Sequence, residues 1–226
     1  MSDTIQHQLI GTILPLGNGA VGKTTLGTLL AFTSSDITGI KKTKNLEFEY
    51  SVDRIHLDGE SYKVSHQYLI PPGQKEEEGD QTSRSYEKVI HIYQDIIGIP
   101  SVVLLTYDIT HLESFYDLEF WVKQASKLAD KHTELILVGT HLDADSDREV
   151  HQDLIRNGII FLEQTMAANL PGWGGCCNYM EVSNHTRTNI DALRRMISMC
   201  ILRSKGIFMK ESQPEPAEVP SQPTID

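Results

Sequence analysis

The stretch Gly17-Asn18-Gly19-Ala20-Val21-Gly22-Lys23-Thr24 fits the pattern G-x-x-x-x-G-K-[ST]. Residues of these types at this spacing hold phosphate. Glycines are needed because the loop must turn backbone N–H groups toward phosphate oxygens, in conformations that side chains would obstruct. The loop also feeds a helix N-terminus, which favours anions. Lys23 is expected to reach the β and γ phosphates. Thr24 is expected to offer its hydroxyl to Mg²⁺, whose octahedral shell is completed by phosphate oxygens and water. Thr25 is counted with the nucleotide-binding residues. Such a loop serves ATPases, kinases and GTPases alike, so the base-reading residues decide between them.

Two further segments bear on the base. Gly139-Thr140-His141-Leu142-Asp143 follows the apolar run "ELILV". Guanine presents its ring N1–H and exocyclic amine side by side, and a carboxylate accepts both, whereas adenine offers an acceptor at N1. Asp143 is the candidate reader. Ser183-Asn184-His185 follows "NYMEV", at a position where a tight loop can aim a backbone N–H at guanine O6.

Together these motifs resemble the Ras superfamily of small GTPases over about residues 5 to 205. The Thr140-to-Asp143 segment is similar to the Rho-type variant of the family's Asn-Lys-x-Asp motif, and Ser183-Asn184-His185 to its Ser-Ala-Lys motif. Both family lysines are histidines here, His141 and His185. The resemblance implies GTP or GDP with Mg²⁺ as ligands. It also implies Thr43 as the switch I threonine that contacts Mg²⁺ and senses the γ-phosphate, with Thr33 and Thr38 as competitors for that place.

Where the family has Asp-x-x-Gly-Gln, this chain has Ile70-Pro71-Pro72-Gly73-Gln74. By resemblance, Gly73 offers its N–H to the γ-phosphate and Gln74 orients the attacking water. Gly19 matches the small position beside that phosphate. Ile70 has no oxygen with which to hold a magnesium-bound water, which predicts weaker Mg²⁺ binding or weaker coupling to switch II. Bacterial gliding-motility and polarity GTPases, and prokaryotic Arf-like relatives, are similar here, which favours a divergent working enzyme over a relic. No arginine can be assigned as a catalytic finger, so hydrolysis is expected to be slow without an activating protein. Effector, activating and exchange proteins are the partners implied. A guanine-nucleotide scaffold that does not cycle, and a phosphate-loop ATPase or kinase, are the rival readings.

These residues need strands and helices to position them. "HQLIGTILPLG" reads as a strand ending at the phosphate loop, and Leu26, Leu29 and Leu30 place an apolar face on the helix after it. "LEFEYSVDRIHLDGESYKVSHQYLI" alternates on both sides of Asp58-Gly59, a hairpin signal. A helix is expected through Ile97, then buried strands at "SVVLLTYDIT" and "ELILVGT", a short last strand at "NYMEVS", and amphipathic helices between and after them. The expected fold is α/β: a phosphate-loop NTPase domain, similar to the Ras-like G domain, of three α/β/α layers with six mostly parallel strands and about five helices.

The domain is expected over 1–205, with 206–226 a disordered tail, since four of the chain's nine prolines fall within Lys210–Asp226. A formal charge of −11 disfavours nucleic acid as a partner. Three cysteines form no disulfide framework, and no apolar stretch approaches spanning length, so a cytoplasmic setting is expected. Gly does not follow Met1 and the chain ends "QPTID", which argues against a direct lipid anchor. The acidic run Glu76-Glu77-Glu78 with Asp80 and the loop "NLPGWGGCCN" carry no assigned role.

Overall fold

The structure is a computed structural model and describes residues 7–32, 47–70 and 98–207. Among these, six strands form one sheet: β1 (His7–Leu16), β2 (Glu47–Leu57), β3 (Glu60–Ile70), β4 (Val102–Asp108), β5 (Glu134–Thr140) and β6 (Cys177–Glu181). The order across the sheet is β2-β3-β1-β4-β5-β6. Only β2 and β3 are antiparallel, with Leu57 opposite Glu60 across the tight turn at Asp58-Gly59. The remaining neighbours run parallel.

Among the described residues five α-helices cover the two faces: α1 (Lys23–Ala31), α2 (Leu112–Tyr116), α3 (Leu118–Leu128), α4 (Gln152–Asn169) and α5 (Ile190–Ser204). Alternation along the strands divides the core. Leu105 and Leu137 point toward Trp121, Leu162 and Met166, under α3 and α4. Their neighbours Leu104 and Ile136 point the other way, toward Leu26, Leu30, Leu193 and Ile197, under α1 and α5. Strands buried on both faces must be apolar throughout, which accounts for the unbroken runs in β4 and β5. The three-layer α/β fold expected from the sequence is the fold observed, with the helix expected between "SVVLLTYDIT" and "ELILVGT" divided into α2 and α3 at Asp117.

A buried polar chain ties the β2–β3 hairpin to α5. His66, fully buried, lies 2.9 Å through Nε2 from Ser198 Oγ, while its Nδ1 lies 3.0 Å from both Ser51 Oγ and Tyr68 Oη. Ser198 donates onward to Asp53 at 2.8 Å. Ser198 therefore accepts from His66 Nε2–H, leaving Nδ1 as the acceptor for Ser51 or Tyr68. Arg194 of α5 donates to the carbonyls of Leu29 and Leu30, satisfying the last turn of α1.

The glycine-rich loop before β6 is held by Trp173, whose indole donates to the Thr133 carbonyl at 2.8 Å. The expected helix through Ile97 and the tail lie outside the described residues.

Candidate functional site

β1 delivers the chain to the loop at residues 17–22, and α1 begins at Lys23. Gly17 has φ +149, and a Cβ there would fall 2.1 Å from the Thr106 carbonyl oxygen of β4. Gly22 has φ +88 and faces the Asn184 carboxamide in the same way, at 2.7 Å. Only glycine fits either position. The cradle's shape is thus set by contact with β4 on one side and the loop after β6 on the other.

Inside it, Lys23 is 5% exposed and donates from Nζ to the carbonyls of Gly17, at 2.7 Å, and Asn18, at 2.5 Å. Burial brings its pKa down to about 7. Gly19 and Ala20 form the exposed crown of the loop, and the Val21 side chain is buried beneath it. Thr24 lies in the first turn of α1, with Thr25 beside it. The cradle therefore has the backbone turns, the ammonium group and the helix start that phosphate binding requires.

The predicted base-side residues converge on this loop. Thr140, at the end of β5, has its hydroxyl 2.9 Å from the Val21 carbonyl and 3.0 Å from that of Tyr107. Asn184 is buried and donates to the Gly22 carbonyl at 3.2 Å, while its Oδ1 has no partner among the described residues. Asp143 follows in a 3₁₀ turn, Leu142–Asp147, and accepts a 2.5 Å hydrogen bond from Ser183. That bond, first among the causes, holds the Asp143 carboxyl below its usual range, so it is ionised and acceptor-only at neutral pH.

The two histidines behave differently. His141 takes a left-handed backbone, φ +62, and turns its ring toward Asp108, with Nδ1 3.0 Å from Oδ2. The hydrogen bond to Asp108 raises its pKa. His185 is largely exposed, with Nδ1 3.9 Å from Asp143 Oδ2. Thr43, Gly73 and Gln74 lie outside the described residues.

Several contacts that hold these loops are not legible in the sequence. Asn18 reads from the sequence as a nucleotide-binding residue of the loop, and its side chain in addition binds Asp117 and Trp121 of the α2–α3 region. Asp108 accepts from the N–H of Thr110, at 2.8 Å, and from its hydroxyl, at 2.7 Å, besides facing His141. Arg148, just after the 3₁₀ turn, makes a two-pronged pair with Glu181 of β6, at 2.7 and 2.8 Å. Tyr179 donates to the same carboxylate. Glu181 in turn lies two residues before Ser183. An arginine and a glutamate each a few residues from a base-side motif were the available signal, but no spacing rule links them.

With this geometry in view, comparison with known proteins gives the class. The sequence profile of the Ras family matches residues 83–202, slightly over half of the chain, and the chain belongs to that family. It is similar to the Ras-related protein Rab-12 of Rattus norvegicus, 28% identical over 213 residues, covering 93% of this chain and 79% of the relative. Rab-12 of Homo sapiens is 29% identical over 213 residues, covering 92% and 78%. Rab-8A of Gallus gallus is 27% identical over 163 residues, covering 70% of each. The protein is a small GTP-binding protein of Ras-like fold, a family whose members bind GTP or GDP with Mg²⁺ and hydrolyse GTP. Among the described residues no helix is long and apolar enough to cross a membrane.

Proposed function

We propose that the protein is a GTP/GDP switch with slow intrinsic, Mg²⁺-dependent GTP hydrolysis. The observation that carries this reading is the pair of hydrogen bonds joining the base-side loops to the phosphate cradle, Thr140 to Val21 and Asn184 to Gly22. They support a site in which Asp143 reads guanine while Lys23 meets the phosphates, because they join the loops that carry the two residues.

In the proposed mechanism the loop N–H groups and Lys23 take up the charge of the β and γ phosphates. Asp143 accepts from guanine N1–H and the 2-amine, and the Asn184 backbone N–H meets O6. Thr24 and Thr43 are the residues that would hold Mg²⁺, which would supply positive charge beside the phosphate oxygens. Gln74 orients a water in line with the bond to be broken. A bond forms from the water oxygen to the γ-phosphorus, the bond from that phosphorus to the β–γ bridging oxygen breaks, the water's proton passes to an oxygen of the released phosphate, and GDP leaves with the bridging oxygen. Positioning and charge do this work without a covalent intermediate. Unaided turnover on the order of 10⁻⁴ per second is expected, with an arginine from an activating protein adding about 10³ to 10⁵-fold. Gly73, responding to the γ-phosphate, carries the signal to effectors and to activating and exchange proteins.

The buried aliphatic side chain of Ile70 favours one second reading, a scaffold that retains guanine nucleotide without cycling. The deciding experiment is GTP turnover for wild type, Gln74→Leu and Lys23→Ala, with bound nucleotide identified by chromatography after denaturation. Slow turnover abolished in both variants supports the switch. Bound guanine nucleotide with no turnover, even with a cell extract supplying activators, supports the scaffold. ATP competing as strongly as GTP would sink both.

A further inference from the structure

β1 runs straight into the phosphate loop and has two parallel neighbours, β3 and β4. Their C-terminal ends are therefore the two strand ends beside the bound phosphates, the places from which a strand carboxylate can reach a phosphate-bound cation. β3 ends at Ile70, two residues past the Ile13↔Tyr68 pair, and β4 ends at Asp108.

Neither end is available to the cation. Both oxygens of Asp108 are already used in holding loops: Oδ1 accepts the N–H and the hydroxyl of Thr110, and Oδ2 faces His141 Nδ1 at 3.0 Å. It shapes the turn after β4 and holds the loop after β5. Ile70 is fully buried and directed at α1, where Gly27 makes room for it. A Cβ on Gly27 would lie 2.4 Å from Ile70 Cδ1. The helix of the phosphate loop and the end of β3 are thus packed as knob and gap, and a carboxylate in place of the isoleucine would be buried against α1.

We infer that in the GDP-bound state, where Thr43 has no γ-phosphate to sense, magnesium is held by the nucleotide's phosphates and the Thr24 hydroxyl, without a carboxylate from either flanking strand, so that the cation adds little to nucleotide retention. The inference rests on the guanine-nucleotide reading above. A neutral hydroxyl attracts a divalent cation far less than a carboxylate does at the same distance. The nucleotide is accordingly retained by Lys23, the loop N–H groups and Asp143, and exchange is governed by those contacts rather than by loss of the metal.

The test uses the full chain loaded with a fluorescent GDP analogue. Its release is timed in excess Mg²⁺ and again in excess chelator. The inference expects the two rates to differ by less than about fivefold, and a larger acceleration by the chelator overturns it, because the cation then carries a substantial share of nucleotide retention. A second readout is the Mn²⁺ electron-spin signal, which reports free cation. Mn²⁺ is expected to bind the GDP-loaded protein within about tenfold of its affinity for GDP alone, and tighter binding overturns the inference. A chain that retains no GDP with or without Mg²⁺ overturns the guanine-nucleotide reading, and the inference with it.

Discussion

The indole N–H of Trp121 donates to Asn18 Oδ1 at 2.8 Å, while Asn18 Nδ2 donates to Asp117 Oδ2 at 2.7 Å. A side chain of the phosphate loop is thereby fastened by both ends of its amide to the α2–α3 region. Trp121→Phe keeps most of the apolar packing and withdraws the donor. It is expected to cost about 1–3 kcal/mol in urea unfolding, the range for stranding a buried acceptor. It should also speed release of guanine nucleotide by a few-fold. Unchanged release with lowered stability would confine the contact to holding the fold.

The base-side geometry leads to a prediction about specificity. Asp143 is held ionised by Ser183 and offers two acceptors. Asp143→Asn turns one acceptor into a donor, which mismatches the guanine 2-amine but suits a base with a carbonyl at that place, such as xanthine. Guanine nucleotide affinity should fall by about 10² or more, the worth of a charge-assisted pair, with xanthine nucleotides gaining. Competition binding with GDP and XDP measures both changes, and equal weakening toward the two would remove Asp143 from base recognition.

A third prediction concerns the pair between the base-side loops. Arg148 and Glu181 are 14% and 12% exposed and meet at 2.7 and 2.8 Å. Arg148→Met leaves the Glu181 carboxylate buried without its cation, and such one-sided losses cost about 3 kcal/mol. Since Glu181 precedes Ser183 and Arg148 follows Asp143, guanine affinity should fall as well. The double variant with Glu181→Gln should recover much of the stability in a denaturation cycle. Additive losses would show that the two residues act separately.

Local features were the ones legible in the sequence. The phosphate loop announces itself because its glycines, lysine and threonine serve one backbone turn. The hairpin at Asp58-Gly59 and the apolar runs of β4 and β5 are equally local, and from them the three-layer fold follows. What escaped reading was pairwise and distant: Asn18 with Trp121, His141 with Asp108, Arg148 with Glu181, Ile70 with Gly27. Such partners share no period or spacing, and they meet only once the sheet order brings their strand ends together. Ile70 is instructive, since the sequence registers it as a missing oxygen, whereas the structure registers it as a packing partner of Gly27.

The buried chain through His66 gives the protein a defined response to acid. Burial, the largest influence, lowers the His66 pKa to about 4 from its usual 6.5, with Asp53 opposing and Arg194 reinforcing the shift. The folded protein therefore binds this proton less readily than the unfolded chain does. Above about pH 6.5 the ring is neutral in both states, and its contribution is fully present. As pH falls from 6.5 toward 4, the unfolded chain takes up the proton first and stability declines, by as much as a few kcal/mol, levelling once the folded state is protonated too. Protonation also removes the Nδ1 acceptor that Ser51 or Tyr68 uses, so a side-chain contact within the hairpin is lost while the Nε2–H donor to Ser198 of α5 is kept. Urea unfolding of wild type and His66→Gln across pH 4 to 8 measures this. The variant is expected to be less stable at pH 8 but to lose less on acidification, and parallel pH profiles would show that acid sensitivity resides elsewhere.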